Sequence, residues 1–189
     1  MNHIGTQIIE TPRLILRPFT MADAPAMFEN WASDPEVTKY VTWPAHSSIE
    51  ITRMVLRDWV DGYDHPDHYN WAITLKEEGD RPIGNISAVH VYEKTDSTEI
   101  GYCMGRGWWR KGIMAEALTA VIDFFMEQVG TNRITARHDT DNPNSGKVME
   151  KAGMSYEGTL RQSGRNNQGI VDLAHYSILK TEWHKKNIM

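Results

Sequence analysis

The chain has 189 residues, 40% hydrophobic and 24% charged, which is enough apolar material for one globular core and excludes an extended disordered chain. A formal net charge of −5 argues against a general binder of nucleic-acid backbones. One cysteine, Cys103, excludes an internal disulfide and fits a reducing, cytoplasmic setting, and no apolar stretch approaches the roughly 20 residues of a membrane span.

Residues 1–11 lack the basic and apolar blocks of a secretory signal. Ile8 and Ile9, then Leu14, Ile15 and Leu16, read as a strand over 8–17. Thr20 with Asp23, Asp34 with Pro35, and Ser47 with Glu50 are helix-start pairs, predicting helices near 21–32, 35–39 and 47–62. The period then changes. Trp71, Ile73 and Leu75 alternate, and Ile83, Ile86, Val89 and Val91 follow a Glu78-Gly79-Asp80 turn. Residues 99–104 make another short strand. Met114, Ala117, Leu118, Val121, Ile122 and Phe125 recur at helical spacing, one face of a helix of about four turns. Residues 133–139 read as a strand, 143–152 as a helix ending at Gly153, and 155–163 and 169–179 as two closing strands. With no repeat and no Pro- or Gly-rich linker, residues 1–189 read as one α+β domain.

The most informative segment runs from Gly105 to Ala117, where a strand feeds a glycine-bearing loop with Arg110 and Lys111 and passes straight into the long helix. The first N–H groups of a helix have no internal partner and carry partial positive charge, and Gly112 lets an anion approach the backbone closely. The same residues also suit a plain strand-to-helix turn, so both readings stand at this point. The spacing is neither that of a Walker loop nor the Gly-x-Gly-x-x-Gly dinucleotide pattern.

That loop resembles the pyrophosphate-binding motif of the GNAT superfamily of acyl-CoA-dependent N-acyltransferases. Other blocks agree in order: Thr11-Pro-Arg-Leu-Ile-Leu-Arg-Pro-Phe19 with Asp23, Glu99-Ile-Gly-Tyr102, Gly112-Ile-Met-Ala-Glu-Ala-Leu118, Asn142-Pro-Asn-Ser145, Glu150-Lys-Ala-Gly153 and Glu157-Gly158. Together they resemble the ribosomal-protein N-terminal acetyltransferase branch, the RimJ/RimL type, across a core of roughly residues 8–183. The resemblance implies a twisted, mixed, mostly antiparallel sheet of about seven strands flanked by helices, its fourth and fifth strands splayed to admit the pantetheine arm. It also implies acetyl-CoA as acyl donor. Contacts to the donor are carried over to Tyr102, Met104, Trp109, Arg110, Lys111, Gly112, Met114, Ala115, Asn142 and Ser145.

The chain departs from the family pattern at several positions. Trp109 and Met114 stand at the two ends of the loop motif, the second bringing a longer side chain beside the pyrophosphate. Where many members place a thiolate-protonating Tyr, this chain has Met149, which has no proton to give. Ser145 occupies the place of the serine proposed for that role in the ribosomal-protein branch. That branch's further acidic residue would fall near Gly164 and Arg165 and is missing.

Acetyl transfer needs an amine freed of its proton, a donor for the oxyanion and a proton for the leaving thiolate. A backbone N–H between Tyr102 and Met104 suits the oxyanion, and Ser145 the sulfur. Glu99 is the expected base, with His138 second. Either Glu99 serves that role or it pairs with Arg13 or Arg17 on the first strand. His138 is equally readable as an ordinary strand residue, Asn142 as an N-cap before Pro143, and Ser145 as a helix-start residue. Trp43 and Trp71 either border the amine site or pack in the core. In Asp64-His65-Pro66-Asp67-His68, Pro66 breaks the helix that would aim both histidines at one ion, so no metal is expected. Cys103, in an apolar strand without a neighbouring His, is not expected to form an acyl-enzyme.

The sequence thus reads as an acetyl-CoA-dependent N-acetyltransferase working by direct attack in a ternary complex on a protein N-terminal amine or a small-molecule amine. No nucleic-acid or membrane partner is expected, and a homodimer is implied only at family level. Met149 and the missing acid near Gly164 keep open a non-catalytic CoA-binding regulator. A phosphate-binding enzyme of another kind is the third reading.

Overall fold

A computed structural model describes residues 1–187. Its strands are β1 (Ile9–Glu10), β2 (Leu14–Arg17), β3 (Asn70–Leu75), β4 (Gly84–Tyr92), β5 (Ser97–Met104), β6 (Arg133–Asp139), β7 (Ser155–Asn166) and β8 (Gly169–Leu179). They form one sheet in the order β1-β2-β3-β4-β5-β6-β8-β7. There are eight strands among the described residues because the first expected strand is split. Pro12 has no N–H for a ladder, and the chain turns there into a tight β1–β2 hairpin.

The helices are α1 (Ala24–Met27, opened by a 3-10 turn at Met21–Asp23 and continued by a π turn at Phe28–Ala32), α2 (Pro35–Thr38), α3 (Ile49–Gly62), α4 (Ile113–Phe124, continued by a π turn at Phe125–Val129), α5 (Pro143–Lys151) and α6 (Lys180–Asn187). Asp34 caps α2 as its position before Pro35 predicts, accepting the Glu36 N–H at 2.9 Å. The long helix presents its expected stripe. Ile113, Met114, Ala117, Leu118, Val121 and Ile122 are all buried, and each large aliphatic contributes about 1.5–3 kcal/mol relative to exposure.

Every residue of β3 is buried because the sheet is covered on both faces. Trp71, Ile73 and Leu75 pack in the cluster that holds α4, whereas Ala72 packs with Phe19, Met27, Trp31 and Leu56 of the α1–α3 layer. All strand pairs are antiparallel except β5 with β6. Those two run parallel for only three residue pairs, Ser97–Glu99 against Arg133–Thr135. Beyond Glu99, β5 stays with β4 to Met104 while β6 stays with β8 to Asp139, so the sheet divides and a gap opens. A bulge between Ala88 and His90 bends β4 opposite that dividing point. This is the splay implied by the resemblance; with the first strand split, it lies between β5 and β6.

Candidate active site

Two helix starts flank the gap, and the backbone around it is rich in unpaired donors. Gly105 donates its N–H to Ile83 O at 2.9 Å. Antiparallel alternation therefore turns the N–H and C=O groups of Tyr102 and Met104 away from β4, toward the edge that β6 has left. The Met104 carbonyl accepts the Trp109 indole N–H at 2.7 Å, which leaves the two strand N–H groups facing the gap. Trp109 itself is 43% exposed, beside the exposed Arg110 and Lys111.

At the start of α4, Arg110 (φ 63°) and Gly112 (φ 75°) both adopt the left-handed conformation, which glycine reaches without a Cβ penalty. The first α4 bond runs from Glu116 N–H to Gly112 O at 3.1 Å. Hence the N–H groups of Ile113, Met114 and Ala115 have no helical acceptor and face the loop. The Met114 side chain does not crowd this space, contrary to the sequence expectation, since it is 5% exposed and turned into the core.

A clamp holds the loop. Glu116 accepts from Thr11 Oγ1 at 2.6 Å, from Arg13 N–H at 3.1 Å and from Arg13 Nε at 2.6 Å, while Arg13 Nη1 donates to Lys111 O at 3.0 Å. Partial burial raises the Glu116 pKa, but the bonds from Thr11 and Arg13 together outweigh it and hold the carboxyl below its ordinary value.

Facing this loop is the start of α5. The Asn142 side chain makes no capping bond; its carbonyl accepts the Ser145 N–H at 3.1 Å. The side-chain N-cap reading is therefore set aside, and among the described residues the carboxamide has no hydrogen-bond partner, which leaves it for a ligand. Ser145 is tied to β5 across the gap. The Tyr102 hydroxyl lies 3.0 Å from Ser145 O and 3.0 Å from Ser145 Oγ. A phenol has one proton, which goes to the carbonyl because a carbonyl only accepts, so Ser145 Oγ–H donates to the phenol oxygen. Burial raises the Tyr102 pKa, so this phenol stays protonated at neutral pH. Local spacing could not reveal the pair, because its members lie 43 residues apart. Met149 is 1% exposed and packs in the core.

Three expectations are revised. Glu99 pairs with neither Arg13 nor Arg17; it is 12% exposed and meets Arg137 of β6 at 2.8 Å, at the root of the gap. Arg13 belongs to Glu116, and Arg17 to Asp23 and Asp80. His138 shares the strand face of Ile134 and Ala136, so it points to the α5 side and not to the face of Glu99 and Arg137. Its Nδ1 meets Asp139 O at 2.7 Å, and its Nε2 is buried with no hydrogen-bond partner among the described residues, where a Cβ on Gly146 would come within 2.7 Å. It therefore packs against α5. Trp71 is 0% exposed, donates to Gln7 O at 2.7 Å and packs on Tyr69, Phe124 and Phe125, so it is a core residue. Burial pushes the Cys103 thiol up to about 12, which removes thiolate chemistry.

Beyond the end of β6, a cleft of about 670 Å³ lies between the chain at Thr42 and the β7–β8 turn, lined by Thr42, Arg165, Asn166, Asn167, Gln168 and Gly169. Trp43 stands on its rim, with its carbonyl accepting from Asn167 Nδ2 at 2.7 Å and its ring 5.3 Å from His46. Asn166 Nδ2 donates to Asp139 Oδ2 at 2.5 Å, which fixes the cleft to the last residue of β6 and so to the mouth of the gap. Sequence reasoning marked Arg165 only as a departure from a family pattern. The cleft forms by contact between segments over 120 residues apart.

Comparison with known proteins agrees with this geometry. Residues 13–155 match the profile of the acetyltransferase (GNAT) domain. An uncharacterized N-acetyltransferase, YoaA of Bacillus subtilis (strain 168), is 34% identical over 92% of this chain and 97% of its own. The ribosomal-protein-serine acetyltransferase of Escherichia coli (strain K12) is 30% identical over 52% of this chain and 55% of its own. The crystal structure of a GNAT-family acetyltransferase from Bacillus anthracis superposes with a TM-score of 0.81 at 27% identity, covering 93% of this chain and 99% of that one. The chain belongs to the GNAT acetyltransferase family and is an acyl-CoA-dependent acetyltransferase.

Proposed function

We propose that this protein transfers an acetyl group from acetyl-CoA to a primary amine by direct attack in a ternary complex. The observation that carries the reading is the gap between β5 and β6, with unpaired backbone donors along Tyr102 and Met104 and a helix start on either side. Acetyl-CoA, when bound, supplies the thioester carbonyl and a thiol leaving group. The residues fit it: Ile113, Met114 and Ala115 offer N–H groups for the pyrophosphate, Arg110 and Lys111 add charge, and the uncapped Asn142 carboxamide suits the pantetheine amides. The strand N–H groups of Tyr102 and Met104 form a pre-organised oxyanion donor pair.

Ser145 is the proton donor of this scheme, and Tyr102 positions it. Rotation of the Ser145 hydroxyl aims its proton at the leaving sulfur while the Tyr102 O–H turns from Ser145 O to donate to Ser145 Oγ. The attacking nitrogen sheds its proton to solvent at the mouth of the gap and Ser145 regains one from solvent, so that one proton leaves the amine and one reaches CoA. Glu99 is committed to Arg137, so the scheme assigns no side-chain base and the amine enters unprotonated. Cys103, half-buried with its thiol pKa raised, plays no covalent part.

The test is thiol release from acetyl-CoA across short peptides with free and with blocked N-termini, alongside polyamines, amino acids and aminoglycosides. Turnover of an unblocked amine, with single-displacement kinetics, is the expected result. Tight acetyl-CoA binding without turnover of any amine would overturn the proposal.

A further inference from the structure

We infer that the acceptor amine also carries an anion, a carboxylate or a phosphate, and that Arg165 holds it in the cleft under the β7–β8 turn. The inference rests on the acetyl-transfer reading, because it names the acceptor class of that same site.

Charge is the first argument. Arg165 is the one charged residue lining the cleft, it is exposed, and its side chain has no ion pair or hydrogen bond among the described residues. Arg13, Arg17, Arg81, Arg106, Arg133 and Arg137 are each matched to a carboxylate. Asp139, which Asn166 ties to the cleft, is already occupied: one oxygen accepts the Asp141 N–H at 2.9 Å and the other the Asn166 amide. A polycation entering this cleft would meet a like charge and no counter-charge, whereas an anion would meet a guanidinium fork suited to carboxylate or phosphate.

The second argument is the hydrogen-bonding character of the walls. Asn167 is locked, its Nδ2 donating to Thr38 O at 2.8 Å and to Trp43 O at 2.7 Å. Asn166 is locked as well, between Asp139 and the Gln168 N–H at 2.7 Å. These bonds make a rigid frame and leave the Arg165 guanidinium, the Gln168 side chain and the Thr42 hydroxyl for a ligand. Of these the guanidinium is donor-only and charged, while the Gln168 amide and the Thr42 hydroxyl can each add a donor beside it, which favours an anionic guest. The volume of about 670 Å³ suits a small molecule.

Placement is the third. The bond from Asn166 to Asp139 sets the cleft at the end of β6, from which the chain runs directly to Asn142 and Ser145. A guest held by its anion in the cleft can extend its amine toward the mouth of the gap.

The experiment compares matched acceptors with acetyl-CoA: serine against serinamide, phosphoethanolamine against ethanolamine, and spermidine as polycation, in wild type, Arg165→Ala and Arg165→Lys. The anionic member of at least one pair is expected to have the higher kcat/KM, and which pair responds separates carboxylate from phosphate. Arg165→Ala should raise KM for that acceptor by about tenfold or more, with Arg165→Lys between, leaving its neutral partner, the acetyl-CoA Kd and Tm unchanged. Preference for neutral amines or spermidine, or an anion preference that survives Arg165→Ala, overturns the inference while acetyl transfer stands. If no amine is turned over, the acetyl-transfer reading fails by itself. Calorimetric titration of serine and phosphoethanolamine into the CoA complexes of wild type and Arg165→Ala then decides the Arg165 site, with Arg165-dependent binding supporting it and none refuting it.

Discussion

Tyr102→Phe removes one oxygen and leaves the ring in place. That oxygen makes two contacts with Ser145, each 3.0 Å long, so two hydrogen bonds are lost and the half-buried serine hydroxyl loses its partner. At about 0.5–1.5 kcal/mol net per bond, the expected loss of stability is about 1–2 kcal/mol. For a chain of this size that corresponds to roughly 3–6 °C in Tm. The catalytic consequence is separate. Without Tyr102, Ser145 Oγ loses the donor that orients it and stabilises its oxygen as it gives up a proton, and kcat should fall roughly tenfold while the acetyl-CoA Kd stays within about twofold. Thermal unfolding and steady-state thiol release at saturating acetyl-CoA measure the two effects, and a cycle with Ser145→Ala tests their coupling. If the pair acts as a unit, the double variant should be little slower than Ser145→Ala alone. Additive losses, or a lowered Tm with unchanged kcat, would refute the positioning role and leave Tyr102 as a strut between β5 and α5.

Other expectations follow from the same contacts. Gly112→Ala meets little steric resistance, since the added Cβ would lie 3.7 Å from Arg13 Nη2, but the left-handed φ of 75° penalises any Cβ by about 1–2 kcal/mol. The loop should shift to relieve that strain, raising KM for acetyl-CoA about fivefold or more, which titration of CoA would check. Glu99→Gln should lower kcat by less than about threefold, because the carboxylate serves Arg137; a fall of about a hundredfold would restore Glu99 as the base. Stability should decline on acidification in two stages. Burial holds His46 and His68 below their ordinary 6.5, so each adds stability above that value that is lost as pH falls through the folded pKa. Glu116 and Glu157, held below 4.5 with Arg13 and Arg133 among their partners, contribute above that value and lose their share at lower pH. Unfolding free energies between pH 8 and 3 would show both stages, and His46→Gln should flatten the upper one.

Local chemistry is what the sequence states well. The period-3.6 stripe from Met114 to Ile122, the Asp34-Pro35 cap and the strand at Arg133–Asp139 depend on residues within a few turns of one another, and each appears where its pattern places it. The glycine-bearing loop before α4 was readable for the same reason, because an unpaired helix start and a left-handed Gly112 are properties of adjacent residues. Pro12 carried enough information to split the first strand, since a missing N–H is a local fact.

Tertiary structure decided the identity of partners. Glu99 found Arg137 because β5 and β6 are parallel neighbours for only three residue pairs, a register that depends on how two half-sheets diverge. Tyr102 found Ser145 across that divergence, and Trp71 became a core residue because helices cover both faces of β3. Strand parity sent His138 to the α5 side. Arg165 acquired meaning only when the β7–β8 turn docked on residues 38–43 and left its charge unmatched in a cleft. Side-chain period and helix capping act over a few residues and are written in sequence order. Charge pairing and cleft formation depend on which distant segments share a boundary, and that is settled by the packing of the whole sheet.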